Sequence, residues 1–159
     1  LAQMWVDLLT YDSGAAALPV IRERGCEGAR RFLEGLLDIA QPLDGTGYAQ
    51  ALARRHVLAA EWSQLLARMP VFVGPVSMRD PWPVGHDVED GAAREEWWGF
   101  RLTVAANTLG LPGVAVPLGI DDAKRPLAVQ LLGSRWQEPT LLRIARDIET
   151  RYPPPVSES

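Results

Sequence analysis

Asn107-Thr108-Leu109-Gly110-Leu111-Pro112-Gly113-Val114-Ala115-Val116-Pro117-Leu118 decides the fold. Gly110 is placed as a helix C-cap and Pro112 prevents continuation, so a helix must end here. Val114 to Pro117 then reads as a buried strand. The polar run Asp121-Asp122-Ala123-Lys124-Arg125 follows, and Leu127 to Leu132 is a further apolar run. Two strands joined by a polar turn predict a hairpin. Gln130 puts a polar side chain in an otherwise apolar strand and requires a hydrogen-bond partner.

Outward from this hairpin, Glu138 to Thr150 predicts a closing helix with Leu141, Leu142, Ile144, Ala145 and Ile148 available for burial. Pro153-Pro154-Pro155 stops it, and the tail 151–159 is expected to be disordered. Upstream, 93–109 reads as one helix rich in Trp97, Trp98, Phe100, Leu102 and Val104. The adjacent Trp97 and Trp98 must point to different sides of it. Residues 74–92 form a long loop with Pro75, Pro81, Trp82 and Pro83, and loops of that length are often functional. Val71-Phe72-Val73 is a short buried strand. Residues 47–68 carry the longest helical pattern, with Tyr48, Leu52, Val57, Leu58, Trp62, Leu65 and Leu66 as apolar positions and Asp44 or Thr46 as cap. A helix over about 27–38 turns Phe32, Leu33, Leu36 and Leu37 inward. Residues 11–26 read as loose, with Asp12-Ser13-Gly14 as a turn and Pro19 as a breaker. Leu1, Met4, Trp5, Leu8 and Leu9 form an apolar stripe that starts without a cap.

Composition narrows the classes. The chain has 159 residues, 47% hydrophobic and 23% charged, and a net charge of −4. The acidic balance removes the usual electrostatic basis for nucleic-acid binding. No run of 18 apolar residues predicts a membrane span, and no signal peptide is visible. Cys26 is the only cysteine, so no internal disulfide is expected, and a small buried residue is its simplest reading. Cytoplasmic localisation follows as the expectation. With His56 and His86 as the only histidines, no metal site and no cofactor are expected. His86-Asp87 reads as a solvated loop pair rather than part of a triad, and Arg54-Arg55 as a solvated helix face.

The order Asn107-Thr-Leu-Gly-Leu-Pro112, Val114-Ala-Val-Pro117, Pro126-Leu-Ala-Val-Gln-Leu-Leu-Gly133 and Glu138-Pro-Thr-Leu-Leu142 resembles the C-terminal end of amidase signature hydrolases. The resemblance covers about 45–150 and is specific over 107–142. Ala128 stands where that family has a glycine, and Leu109 where it has a small or hydroxyl residue. The resemblance implies an α/β fold, with about three strands of a partial mixed sheet and covering helices, over residues 1–150. It implies amide C–N hydrolysis by a serine nucleophile, a second serine on a cis peptide bond and a lysine base.

No Gly-Gly-Ser-Ser-like segment occurs here, and no two of Ser13, Ser63, Ser77, Ser134, Ser157 and Ser159 are adjacent. The single lysine, Lys124, falls in the hairpin turn, where a solvated ammonium stays charged. No catalytic residue is therefore carried onto this chain. Its expected partners are the N-terminal catalytic part of the same enzyme, a small-molecule amide substrate and a second copy of the chain, with no nucleic acid or membrane. The loop at 74–92 is the expected substrate wall, with Met78, Trp82 and Trp98 as contact residues. Other readings are a stand-alone, non-catalytic interaction module and a component of a tRNA-dependent amidotransferase.

Overall fold

A computed structural model describes residues 1–14, 16–89 and 91–153. In chain order the elements are α1 (Ala2–Gly14), α2 (Ala17–Arg24), α3 (Glu27–Ile39), α4 (Gly45–Arg68), β1 (Val71–Pro75), a 3-10 turn (His86–Val88), α5 (Ala92–Gly99), α6 (Arg101–Leu109), β2 (Gly113–Ile120), β3 (Pro126–Gly133) and α7 (Glu138–Arg151). The tail positions 154–159 lie outside the described residues.

The hairpin forms as its sequence dictates. Lys124 takes the left-handed position of the turn at φ 63. The Asp121 carboxylate accepts the Arg125 backbone N–H and the Arg125 Nε–H, each at 2.8 Å. Strand order is β1-β3-β2, so β3 is central. Both pairings are antiparallel, with Val71 opposite Gly133 in one and Gly113 opposite Leu132 in the other. The expected three strands and covering helices are present, and the mixed directions implied for the whole sheet are not found within these strands.

Alternation along β3 sets the layers. Leu131, with Val116 of β2, packs on Leu141 and Ala145 of α7, flanked by Val71, Val114 and Val129. Leu132 points the other way, onto Leu102 and Ala106 of α6, beside Phe72 and Leu111. A third cluster joins α1, α3 and α5 through Val6, Leu36 and Ile39, flanked by Trp5 and Trp97. Trp5 and Trp97 meet at 4.8 Å between ring centroids.

Several local expectations are corrected. Pro19 does not break the chain but sits in the first turn of α2, where a missing N–H leaves no helical bond unmade. Asp12-Ser13-Gly14 is the end of α1 rather than a turn. Phe32 is exposed at 44% while Leu33, Leu36 and Ile39 fill the inner face of α3. In α4 only Leu66 is buried, and Val57 and Leu65 face outward. Asp44 caps that helix by accepting from the Gly47 N–H at 2.7 Å. Cys26 is exposed at the N-cap of α3, not buried. Along the Leu1–Leu9 stripe Leu8 is buried, and Trp5 and Leu9 pack on the Val6–Leu36–Ile39 cluster.

The expected single helix over 93–109 is two helices broken at Phe100 (φ −89, ψ 11). The cause is tertiary. The Gly99 carbonyl accepts the Met78 backbone N–H at 2.9 Å instead of continuing the helical ladder. A Cβ on Gly99 would meet the Arg79 stem at 3.2 Å, so glycine admits the loop there.

Candidate functional site at the α5–α6 break

The loop after β1 returns across the break between α5 and α6 and is tied down at several points. The Val76 carbonyl accepts the Thr103 hydroxyl at 2.7 Å, and that hydroxyl lies 2.9 Å from the amide end of buried Gln130. A hydroxyl has one proton, so it serves one of these acceptors. Turning the Gln130 amide so that its NH₂ donates to Thr103 Oγ1 satisfies both contacts, and it gives a partner to an amide nitrogen otherwise buried without one. This is the partner that the polar residue in β3 required. Next, Met78 is held through the Gly99 carbonyl. Asp80 then pairs with Arg125 of the hairpin at 2.6 Å.

The three expected contact residues all border this break. Met78 and Trp98 are exposed at 41% and 43%. Trp82 is half-buried and meets Phe100 edge-on, with ring centroids 5.6 Å apart. Arg101 Nη1 donates to the Trp98 carbonyl at 2.7 Å and braces the turn between the helices. Met78, Trp82, Trp98 and Phe100 thus set a thioether and three aromatic rings around the break. Trp97, by contrast, turns into the α1–α3–α5 cluster, so the adjacent tryptophans do point to different sides.

The remaining candidates find structural partners. His86 pairs with Glu89 at 2.9 Å and with Glu96 at 3.4 Å, rather than with Asp87. Arg55 is not a solvated residue. Its Nε–H donates to the Thr108 carbonyl, and Arg135 Nη2 donates to the Leu109 carbonyl at 2.6 Å. Two guanidinium groups thus cap the negative end of α6. Lys124 is exposed. Ser77 Oγ binds the backbone of Arg79. Among the described residues no cluster of three or more His, Cys, Asp or Glu side chains is placed to hold a metal ion, and no helix is long and apolar enough to cross a membrane. Thr103, Glu96 and Arg79 escaped the sequence reading, because each acts through a partner distant in sequence. Gln130 was the one visible signal.

Asp121 sits at the junction of the hairpin and the loop. Hydrogen bonds from the Arg125 backbone and then its side chain hold the Asp121 carboxyl below the usual carboxylate range. Asp80 first, and Asp121 second, push the Arg125 guanidinium further up. A lowered carboxyl pKa adds stability that is present above the ordinary Asp value and is lost as pH falls through the folded one. Asp121→Asn is therefore expected to lower the urea midpoint near neutrality and to flatten its decline below about pH 4. Urea titrations at a series of pH values check this, and an unchanged acid limb would refute it.

The chain matches the Amidase family model over residues 9–142. It is 30% identical over 151 residues to an indoleacetamide hydrolase of Bradyrhizobium japonicum, covering 94% of this chain and 32% of that protein. It is 32% identical over 125 residues to a glutamyl-tRNA(Gln) amidotransferase subunit from Chlorobium phaeobacteroides, covering 79% of this chain and 26% of that one. Its fold is similar to that of 6-aminohexanoate cyclic dimer hydrolase in complex with substrate, with TM-score 0.71 and 17% identity over 94% of this chain and 35% of that chain. The chain thus spans about a quarter to a third of the length of the curated relatives it matches. With most of its residues inside the matched region, the chain belongs to the amidase family.

Proposed function

We propose that this chain is the C-terminal segment of an amidohydrolase that cleaves C–N amide bonds. The supporting observation is the family match over 9–142 in a chain that spans about a quarter to a third of its relatives. In the family reading, a serine outside this segment attacks the amide carbonyl carbon and a lysine takes its proton through a cis-peptide serine. The amine leaves protonated, and water then hydrolyses the acyl-serine to the carboxylate. Backbone N–H groups hold the oxyanion. This segment supplies one wall of the pocket, with Met78, Trp82 and Trp98, joined by Phe100, contacting the non-reacting part of the amide. The likeness to an indoleacetamide hydrolase favours an aromatic amide, which such a wall would cover. The likeness to an amidotransferase component favours, as a second reading, an amide-transferring assembly.

Partners under this reading are the catalytic part of the same enzyme and a second copy of the chain. Among the described residues both outer strands, β1 and β2, pair only with β3, and Val73 and Ile120 are exposed on them. The expected result for the 159-residue chain alone is no release of ammonia or amine from simple aliphatic and aromatic amides. A colorimetric ammonia assay at high protein concentration checks it. Turnover abolished by Lys124→Ala would overturn the assignment of catalysis to residues outside the chain.

A further inference from the structure

Glu96 lies on α5 with its side chain only 8% exposed. A carboxylate so placed is costly unless it is paired. It is paired twice through one oxygen. Arg79 Nε lies 3.5 Å from Glu96 Oε1, and His86 Nε2 lies 3.4 Å from the same atom. The other oxygen, Oε2, is buried with no hydrogen-bond partner. One half of the carboxylate therefore goes unused while the other gathers two loop side chains.

Those two side chains stand at the ends of one strap, residues 79–86. Between them lie Asp80, tied to Arg125, and Trp82, packed on Phe100. Arg79 reaches Glu96 by crossing Gly99, and its Nη2 also meets Glu95 at 3.2 Å. The far ring nitrogen of His86, Nδ1, meets Glu89 at 2.9 Å. Both ring nitrogens thus face carboxylate oxygens, with the hydrogen bond on the Glu89 side. Exposed Glu95 on the same helix meets only the Arg79 end of the strap. Buried Glu96, fixed on α5, brings both ends to a single point.

We infer that Glu96 is a positioning residue: it clamps Arg79 and His86 to α5 and so fixes the strap that carries Trp82 and follows Met78. Its bearing on substrate rests on the reading of this loop as a pocket wall. The clamp explains why residue 99 is glycine, since the Arg79 stem needs that passage. It also explains a buried charge that core packing alone does not require.

Hydrogen–deuterium exchange read by mass spectrometry tests it. In Glu96→Gln the strap peptides over 79–89 should exchange about tenfold faster, while β3 and α7 keep their protection. His86→Ala, at a half-exposed site away from the core, should loosen the same peptides to a smaller extent. Arg79→Met keeps the stem across Gly99 and removes the charge. Added to Glu96→Gln it should accelerate exchange less than it does alone, because the two share the Glu96 oxygen and only the Glu95 contact is left to lose. Unchanged strap exchange in Glu96→Gln, acceleration spread equally over β3 and α7, or full additivity with Arg79→Met would each overturn the clamp. In the amidase that contains this segment, Glu96→Gln should raise KM and leave kcat unchanged. Failure of the wild-type enzyme to turn over any amide would sink the functional reading instead, and the exchange result decides the clamp without it.

Discussion

Leu131→Ala is expected to lower the free energy of unfolding by about 2–5 kcal/mol, a larger effect than any other substitution proposed for this chain. Leu131 has no exposed surface. It lies in the central strand, opposite Val73 of β1 on one side and Val114 of β2 on the other. Its side chain meets Leu141 and Ala145 of α7. Truncation removes the contact that joins the sheet to its closing helix. The surrounding groups cannot collapse into the gap, because the ladder holds β3 on both edges. Urea unfolding followed by tryptophan fluorescence checks the size of the effect. Leu142→Ala serves as the control. Leu142 is the next residue of the same helix, yet it is 59% exposed, and its loss should be within about 0.5 kcal/mol. Equal midpoints for the two variants would show that α7 does not pack as described.

Gly110→Val should cost about 1–3 kcal/mol, through backbone strain rather than a cavity. Gly110 sits at φ 66, ψ 42, the left-handed region that a β-branched residue avoids. A Cβ there would meet Arg135 Nη2 at 3.5 Å and Arg55 Nη2 at 3.9 Å. Those contacts are tolerable for one methyl group. The further methyls of valine would press on the guanidinium groups that cap Thr108 and Leu109. Gly110→Asn, a residue that enters this region more readily, should recover part of the loss. Pro112→Ala should cost under about 1 kcal/mol. Its carbonyl accepts the Gly133 N–H at 3.2 Å, and alanine keeps that bond. Denaturant midpoints decide, and equal costs for Gly110→Val and Pro112→Ala would remove the capping argument.

Features that depend on near neighbours were legible in the residues. Gly110 and Pro112 ended a helix because φ preference and a missing N–H are local properties. The polar run Asp121–Arg125 made the hairpin, since turn residues act within a few positions. Gln130 announced a buried partner by its chemistry, though not which partner. Lys124 fell in the exposed hairpin turn, where its polar neighbours had put it. The family followed from motif order over 107–142.

The remaining features depend on contacts between distant segments. Pro19 became part of a helix because the rule against proline weakens in a first turn. The helix over 93–109 broke because Met78 took the Gly99 carbonyl, and no periodicity encodes a donor that lies so far along the chain. Arg55 read as solvated until the carbonyls at the end of α6 were brought beside it. Met78, Trp82 and Trp98 were grouped in sequence only by side-chain type and loop, and folding set all three along one break. Glu96 offered no signal at all: in sequence it is one acid of a polar turn of helix. Only the return of the loop over Gly99 turns it into the buried point on which Arg79 and His86 converge.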